Sequence, residues 1–460
     1  MRHRLTFSGC VHLLAFLLAA PACTLAALPG NDEAAAILDT HLIANQVAKG
    51  VAVALVDVGG IRVVTAGMAR EGEKVTAAHL FEIGSLTKTF TGLLLAIADE
   101  KGEARLDDPV EKFLPEGLRL RDSADAPIRM VDLATHRSGL PRLAANMRPG
   151  DPQDPYADYT EQDLYDFLRT FTPTRERNAQ FEYSNVGAGL LGVALTRAAG
   201  AASFEALLRA RILQPLGMTS TTSDPAAFAE RMTQPHDAQG RPTPAWRLPY
   251  AHAAAGAIRA TAGDMGRYAE AMAGLKDSPL AKAIGVALTM REPGPGRNAR
   301  IGLAWMQIPY NDRPMLNHNG ATFGSSCLLL VDPVAREAVF IVANSAVQLR
   351  DVALHLLDRR HSLGPRAFPK IVPVAADVLA RYAGTYKLSD KMDVVVRVNA
   401  GKVTVQATGQ AEFEIFPESE QRFFARVVPV VLTFGDVADD KAGSFLLEQG
   451  SSKVTARRIP

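Results

Sequence analysis

The order of strand and helix signals limits the fold of this chain more than any other feature. Two β-rich runs, Val51–Val58 and Ile61–Ala69, flank Gly59-Gly60 and read as a hairpin. Helical patterns then dominate. Strand signals return only from Ile301, as IGLAWMQI, PMLNHNG, SSCLLLVDP and AVFIVANS with turn residues between them. These later runs predict three to four antiparallel strands, and Val352–Arg359 reads as a closing helix. A strand pair, many helices and then strands again folds most simply as an α+β unit. Its antiparallel sheet is flanked by helices, with a helical subdomain inserted between the two halves of the sheet.

The two ends of the chain differ from this unit. Met1–Arg4, MRHR, is basic, Val11–Ala20 is apolar, and small residues follow through Ala27. That pattern predicts a secretory signal peptide over residues 1–26, cut after Thr24-Leu25-Ala26, and is too short for a membrane span. A rival reading lipidates Cys23 within Ala20-Pro21-Ala22-Cys23, but Ala and Pro stand where a lipoprotein site prefers other residues. Cys10, Cys23 and Cys327 are the only cysteines. Cleavage leaves Cys327 alone, a small apolar residue in SSCLLLV, and no internal disulfide. At the other end, His361–Val374 carries three prolines and no periodicity, so residues 363–374 read as a linker. Beyond it, alternation around Asn399-Ala400-Gly401 and several short β-rich runs predict a small all-β barrel or sandwich over 375–460. Residues 27–362 are then the main domain.

Bulk charge excludes one class of function. Fifty basic residues stand against 49 acidic ones, a net charge of +1, so nothing favours a nucleic acid or an anionic membrane as partner. The ten histidines are scattered, no His/Cys/Asp/Glu cluster has metal spacing, and no cofactor is implied.

Chemistry enters at Phe81–Glu100, FEIGSLTKTFTGLLLAIADE. Leu86, Phe90, Leu93, Leu94 and Ile97 recur at spacings of three and four, which predicts a helix with one apolar stripe. Gly84 and Ser85 fall at its start, where serine is a favoured cap. Lys88 lies three residues after Ser85, on the same face. Its amine can take the proton of a hydroxyl that is otherwise a weak nucleophile. The unpaired N–H groups of the first turn can hold a developing oxyanion. Ser-x-x-Lys is common by chance, so its meaning depends on what accompanies it.

Three further pieces follow in order: Leu133–Pro141 (LATHRSGLP), Tyr183-Ser184-Asn185 at a helix start, and His318-Asn319-Gly320 at a strand end, with Ala321 next. With Ser85 and Lys88, this ordered set resembles the serine β-lactamase and penicillin-binding family, most closely its class C-like branch. The likeness runs over about residues 34 to 360. It implies the β-lactamase/DD-peptidase fold, a covalent Ser85 ester and no cofactor. It also implies a substrate that is an acyl-D-amino-acid peptide of peptidoglycan or a β-lactam. By that resemblance Lys88 is the base or electrostatic tuner of Ser85. Tyr183 shuttles a proton to the leaving group and helps activate water. Which of the two is the acylation base stays open. Asn185 would bind the substrate amide, or cap its helix. His318, where many relatives have Lys, would donate to Tyr183 and to a substrate carboxylate, with a pH-dependent charge. Gly320 would let substrate approach the strand, and the N–H groups of Ser85 and Ala321 would form the oxyanion hole. His136 and Ser138 read as turn and network residues. An esterase on the same machinery, and a binder that acylates and stalls, are the rival readings. Export implies a periplasmic or secreted enzyme.

Overall fold

A computed structural model describes residues 27–118, 120, 127–172, 180–224, 226–363, 369, 371–389, 392–399, 401–408, 412–425, 430–438, 440–449 and 452–459. The expected signal peptide and Cys23 lie outside the described residues, as does part of the expected linker.

The main unit holds two sheets. Its strands are β1 (Gly50–Asp57), β2 (Gly60–Arg70), β3 (Glu73–Lys74), β4 (Phe81–Glu82), β5 (Thr221–Thr222), β6 (Arg259–Ala260), β7 (Glu292–Pro293), β8 (Arg300–Ile301), β9 (Met306–Tyr310), β10 (Arg313–Ala321), β11 (Ser326–Asp332) and β12 (Glu337–Ala343). Nine of them form an antiparallel sheet in the order β3-β2-β1-β12-β11-β10-β9-β8-β7. The N-terminal hairpin is therefore completed by strands from the far end of the unit, with Val53 opposite Ile341. The later segment contributes more strands than the three to four expected, because Glu292–Pro293 and Arg300–Ile301 add short edge pairings.

The middle strands are buried on both faces. Ala52, Ala54 and Val56 of β1 join one core, while Val51, Val53 and Leu55 join the other. That split is the two-residue side-chain period of a strand with helices on either side. The helices Asn31–Leu38 and Arg350–Leu357 cover the second face. The first face meets the helix Ala262–Met272, which begins at Thr261 with its hydroxyl accepting from Asp264 N.

Behind that face lies the helix Thr87–Lys101. Every residue from Thr87 to Ala98 is buried, so the expected single apolar stripe is corrected: this is a central helix wrapped on all sides. It ends at Gly102, whose φ of 72° gives the left-handed turn that glycine adopts without a Cβ penalty. A separate three-stranded sheet, β4-β6-β5, delivers the chain into this helix.

The C-terminal strands close an eight-stranded barrel running from Gly384–Ser389 to Ser452–Ile459, whose first and last strands pair at Tyr386 and Arg458. Tyr382, Tyr386, Phe423, Phe434 and Phe445 fill its interior.

Candidate active site

The chain reaches Ser85 through Ile83 and a short 3-10 turn, Gly84–Leu86, that runs into the central helix. Ser85 is not the cap expected from sequence. The residue before the turn is Ile83 and no side-chain cap bond is made, so the Ser85 hydroxyl is left for chemistry. Lys88 sits one turn on. Its Nζ lies 3.0 Å from Ser85 Oγ and donates to the Ala255 carbonyl at 2.7 Å. Lys88 is 1% exposed, and among the described residues no carboxylate pairs with it. A buried ammonium without a counter-ion is unfavourable, and burial, reinforced by the Arg142 cation, holds the amine well below its ordinary pKa.

Tyr183 enters from the loop before the helix Asn185–Ala198. Its phenol hydrogen-bonds the Ser85 side chain. The Lys88 Nζ stands 4.9 Å from its ring centroid, the Arg142 guanidinium carbon 5.1 Å, and the His136 ring 4.5 Å. Phenolate-like character would require the cations to win. Burial outweighs both the Ser85 bond and Arg142, and pushes the phenol up to about 12. Tyr183 therefore keeps its proton near neutral pH, while burial and Arg142 both push Lys88 toward its neutral form.

His318 lies on β10 and is 1% exposed. Its Nδ1 is 2.6 Å from the Asn319 carbonyl, which can only accept, so Nδ1 carries the proton and Nε2 is a buried acceptor with no partner. Burial, then the nearby Lys88, lowers its pKa to about 4. The expectation of a donor with pH-dependent charge is corrected: near neutral pH this imidazole is uncharged and offers the site a lone pair.

Glycine has a different purpose from the one expected at position 320. A Cβ on Gly320 would lie 1.9 Å from the Ile83 carbonyl and 2.9 Å from Leu86 N, so what presses on it is the turn carrying Ser85. A Cβ on Gly84, at φ 48°, would lie 2.8 Å from Ala321 N. Two missing side chains thus bring the Ser85 turn against the Ala321 backbone. The helix cap at 185 is also corrected. Ser184 is the cap, accepting from Gly187 N at 2.8 Å, and Asn185 is free of that task. Asn185 Nδ2 donates to Tyr156 Oη at 2.8 Å, and its Oδ1 is buried without a partner.

The site also gathers residues to which the sequence reading gave no chemical part. His136, at φ 57°, accepts from Ser184 N at 3.2 Å through Nδ1 and so joins the loop LATHRSGLP to the Tyr183 segment. Arg142 directly follows that motif. His252 is fully buried between Tyr156 and Tyr159, each ring about 5.0 Å away, with both nitrogens unpartnered. No spacing rule marks Arg142 or His252, because each reaches the site through tertiary packing alone. Among the described residues no group of three or more His, Cys, Asp or Glu side chains could hold a metal ion.

Burial of neutral imidazoles makes the fold acid-sensitive. His252 and His318 both titrate at about 4 in the folded chain, against 6.5 as the ordinary value. The unfolded chain binds more protons between those values. Their contribution to stability is thus complete above pH 6.5 and is lost as pH falls toward 4, by about 3 kcal/mol for each group at the limit. Urea unfolding at stepped pH should show this slope, and His252→Gln should remove about one proton's worth of it. An unchanged slope in that variant would contradict the assignment.

Comparison with known proteins sets this geometry among relatives. A family model described as Beta-lactamase matches residues 38–361, and a domain of unknown function, DUF3471, matches residues 369–456. Penicillin-binding protein 4* of Bacillus subtilis (strain 168) is 26% identical over 417 residues, covering 82% of this chain and 87% of that protein. The D-alanyl-D-alanine-carboxypeptidase/endopeptidase AmpH of Escherichia coli (strain K12) is 28% identical over 324 residues, covering 66% and 81%. The octameric penicillin-binding protein homologue from Pyrococcus abyssi superposes with a TM-score of 0.63 over 92% of this chain and 99% of its own; at 21% identity it speaks for the fold, C-terminal barrel included.

Proposed function

The chain belongs to the beta-lactamase family of serine hydrolases, and from that premise we propose that it is an exported hydrolase that forms an acyl-enzyme on Ser85. Its substrates are acyl-D-Ala peptides of peptidoglycan and the β-lactams that mimic them. Two relatives support the substrate class, since one is named a penicillin-binding protein and the other a D-alanyl-D-alanine-carboxypeptidase/endopeptidase. Export rests on the basic and then apolar N-terminal segment.

The observation that carries the reading is the 3.0 Å contact between the Ser85 hydroxyl and a buried, uncompensated amine. In acylation, Ser85 Oγ bonds to the substrate carbonyl carbon and its proton passes to neutral Lys88. The Ser85 and Ala321 N–H groups receive the carbonyl oxygen as it gains charge. Tyr183, still protonated, gives its proton to the departing amine and regains one from Lys88. Water then enters on the same path, gives a proton to the same pair and bonds to the acyl carbon; the ester bond to Ser85 breaks and Ser85 Oγ takes that proton back. Asn185 lines the acyl side through its unpartnered Oδ1.

The test is intact-mass spectrometry of the mature protein with and without a penicillin, beside an assay for free D-alanine from an acyl-D-Ala-D-Ala peptide. An adduct of the added penicillin mass, slowly lost, together with D-alanine release, is expected. The uncharged His318 favours one second reading, an esterase, because no cation stands at that position to hold a substrate carboxylate. Turnover of short esters without D-alanine release would decide for it.

A further inference from the structure

The two halves of the oxyanion site belong to different sheets. Ser85 follows β4, which pairs only with β6, through Phe81 opposite Ala260 and Glu82 opposite Arg259. Ala321 ends β10, which pairs with β9 and β11 in the large sheet. No ladder of backbone hydrogen bonds runs between β4 and β10, so their spacing depends on side chains and on the close contacts at Gly84 and Gly320.

Glu82 spans that gap. It is 4% exposed and lies three residues before Ser85. Its Oε2 accepts from Thr322 Oγ1 at 2.8 Å, one residue beyond Ala321. Its Oε1 accepts from Trp246 N at 2.7 Å, with the Arg259 guanidinium 4.0 Å away. Its own carbonyl accepts from Ser325 Oγ at 2.9 Å, and that hydroxyl also lies 2.9 Å from the Ala343 carbonyl of β12. One residue thus ties the nucleophile segment to the end of β10, to the large sheet and to the loop carrying Trp246. That loop is held in turn to the opposite wall, where Arg247 Nε meets Asp154 at 2.7 Å and Trp246 Nε1 donates to the Gln153 carbonyl at 2.7 Å. A buried carboxylate is costly, and fully apolar packing would hold two segments together at least as well. Burial raises the Glu82 pKa against the pull of Arg259, Thr322 and Trp246, and what the carboxyl adds is direction, because its two hydrogen bonds fix Thr322 and Trp246 at set angles.

We propose that Glu82 is a positioning residue for the oxyanion hole, holding the Ala321 N–H in register with the Ser85 N–H through Thr322. The assignment rests on Ser85 being the acylated nucleophile. A small displacement of one donor weakens transition-state stabilisation while leaving substrate affinity nearly intact.

The experiment compares wild type with Glu82→Gln and Thr322→Val, using a chromogenic penicillin or ester. Active sites are counted by intact-mass acylation, and the acyl-ester carbonyl is read by infrared difference spectroscopy. Per acylated site, Glu82→Gln should lower kcat about 10- to 100-fold with KM changed less than about threefold. The ester carbonyl band should move to higher wavenumber, because hydrogen bonds in the hole lower it. Thr322→Val should act in the same direction, and Thr322→Ser should restore both readouts. A purely structural Glu82 would lower the number of active sites but leave kcat per site and the band where they were, and that result overturns the proposal. If Glu82→Gln does not fold, an unshifted band in Thr322→Val overturns it alone. Wild type that forms no adduct at all would sink the hydrolase reading and this one with it, and is told apart by the missing mass.

Discussion

Ser85→Ala should lose the penicillin adduct entirely and lower hydrolysis by about 10⁴- to 10⁶-fold, the scale seen when a serine nucleophile is deleted. The fold should barely register the change. Ser85 is only partly buried, does not cap its helix, and loses contacts to Lys88 and Tyr183 that are worth about 1 kcal/mol each. Melting within a few degrees of wild type, with no adduct by intact mass, is the expected pair of results. A retained adduct would mean that acylation occurs elsewhere, and the site as described would be wrong. The result separates the hydrolase from a binder only when wild type is followed in time: release of the adduct marks turnover, while a stable one-to-one adduct marks a binder.

Much of this arrangement is written in local spacing. Lys88 meets Ser85 because residues three apart on a helix share a face, and no distant part of the chain is needed to see it. The hairpin around Gly59-Gly60 and the late strand runs are likewise visible, since a two-residue alternation survives tertiary packing. What spacing cannot carry is what lies against a residue. The central helix shows a stripe of large apolar side chains, yet Thr87, Thr89 and Thr91 are buried too. Their hydroxyls bond inward, Thr91 to the Ala254 carbonyl and Thr89 to that of Leu86. Gly320 looks like an opening for substrate until the Ile83 carbonyl is found where its Cβ would go. His318 looks like a substitute cation until burial removes the charge and Asn319 fixes the tautomer. Glu82 looks like any polar residue near a strand, and its partners Thr322 and Trp246 are remote in sequence. In each case the deciding term is desolvation or close contact, both properties of the assembled molecule.

The charge balance around Lys88 leads to the second large effect. Lys88→Arg should reduce acylation about 10²- to 10⁴-fold, the range expected when a proton acceptor is lost, because a guanidinium does not give up its proton in the working pH range. Lys88→Met, similar in length and uncharged, should lose as much activity without burying a charge, so loss in both cannot be blamed on strain. The pH profile identifies the base more sharply. A base must be unprotonated in the free enzyme, so kcat/KM should fall as pH drops through the pKa of Lys88. The surrounding groups titrate elsewhere: His252 and His318 at about 4, His136 well below its ordinary value, Tyr183 at about 12. Burial raises the Glu82 carboxyl as well, so the acid limb is assigned to Lys88 by its response to Arg142. Arg142 is the cation that helps burial hold Lys88 neutral. Arg142→Gln should let the ammonium form persist to higher pH and move the limb in the alkaline direction, whereas His318→Gln should leave it in place. A limb that follows His318 instead, or that ignores Arg142, would remove Lys88 from the role of base.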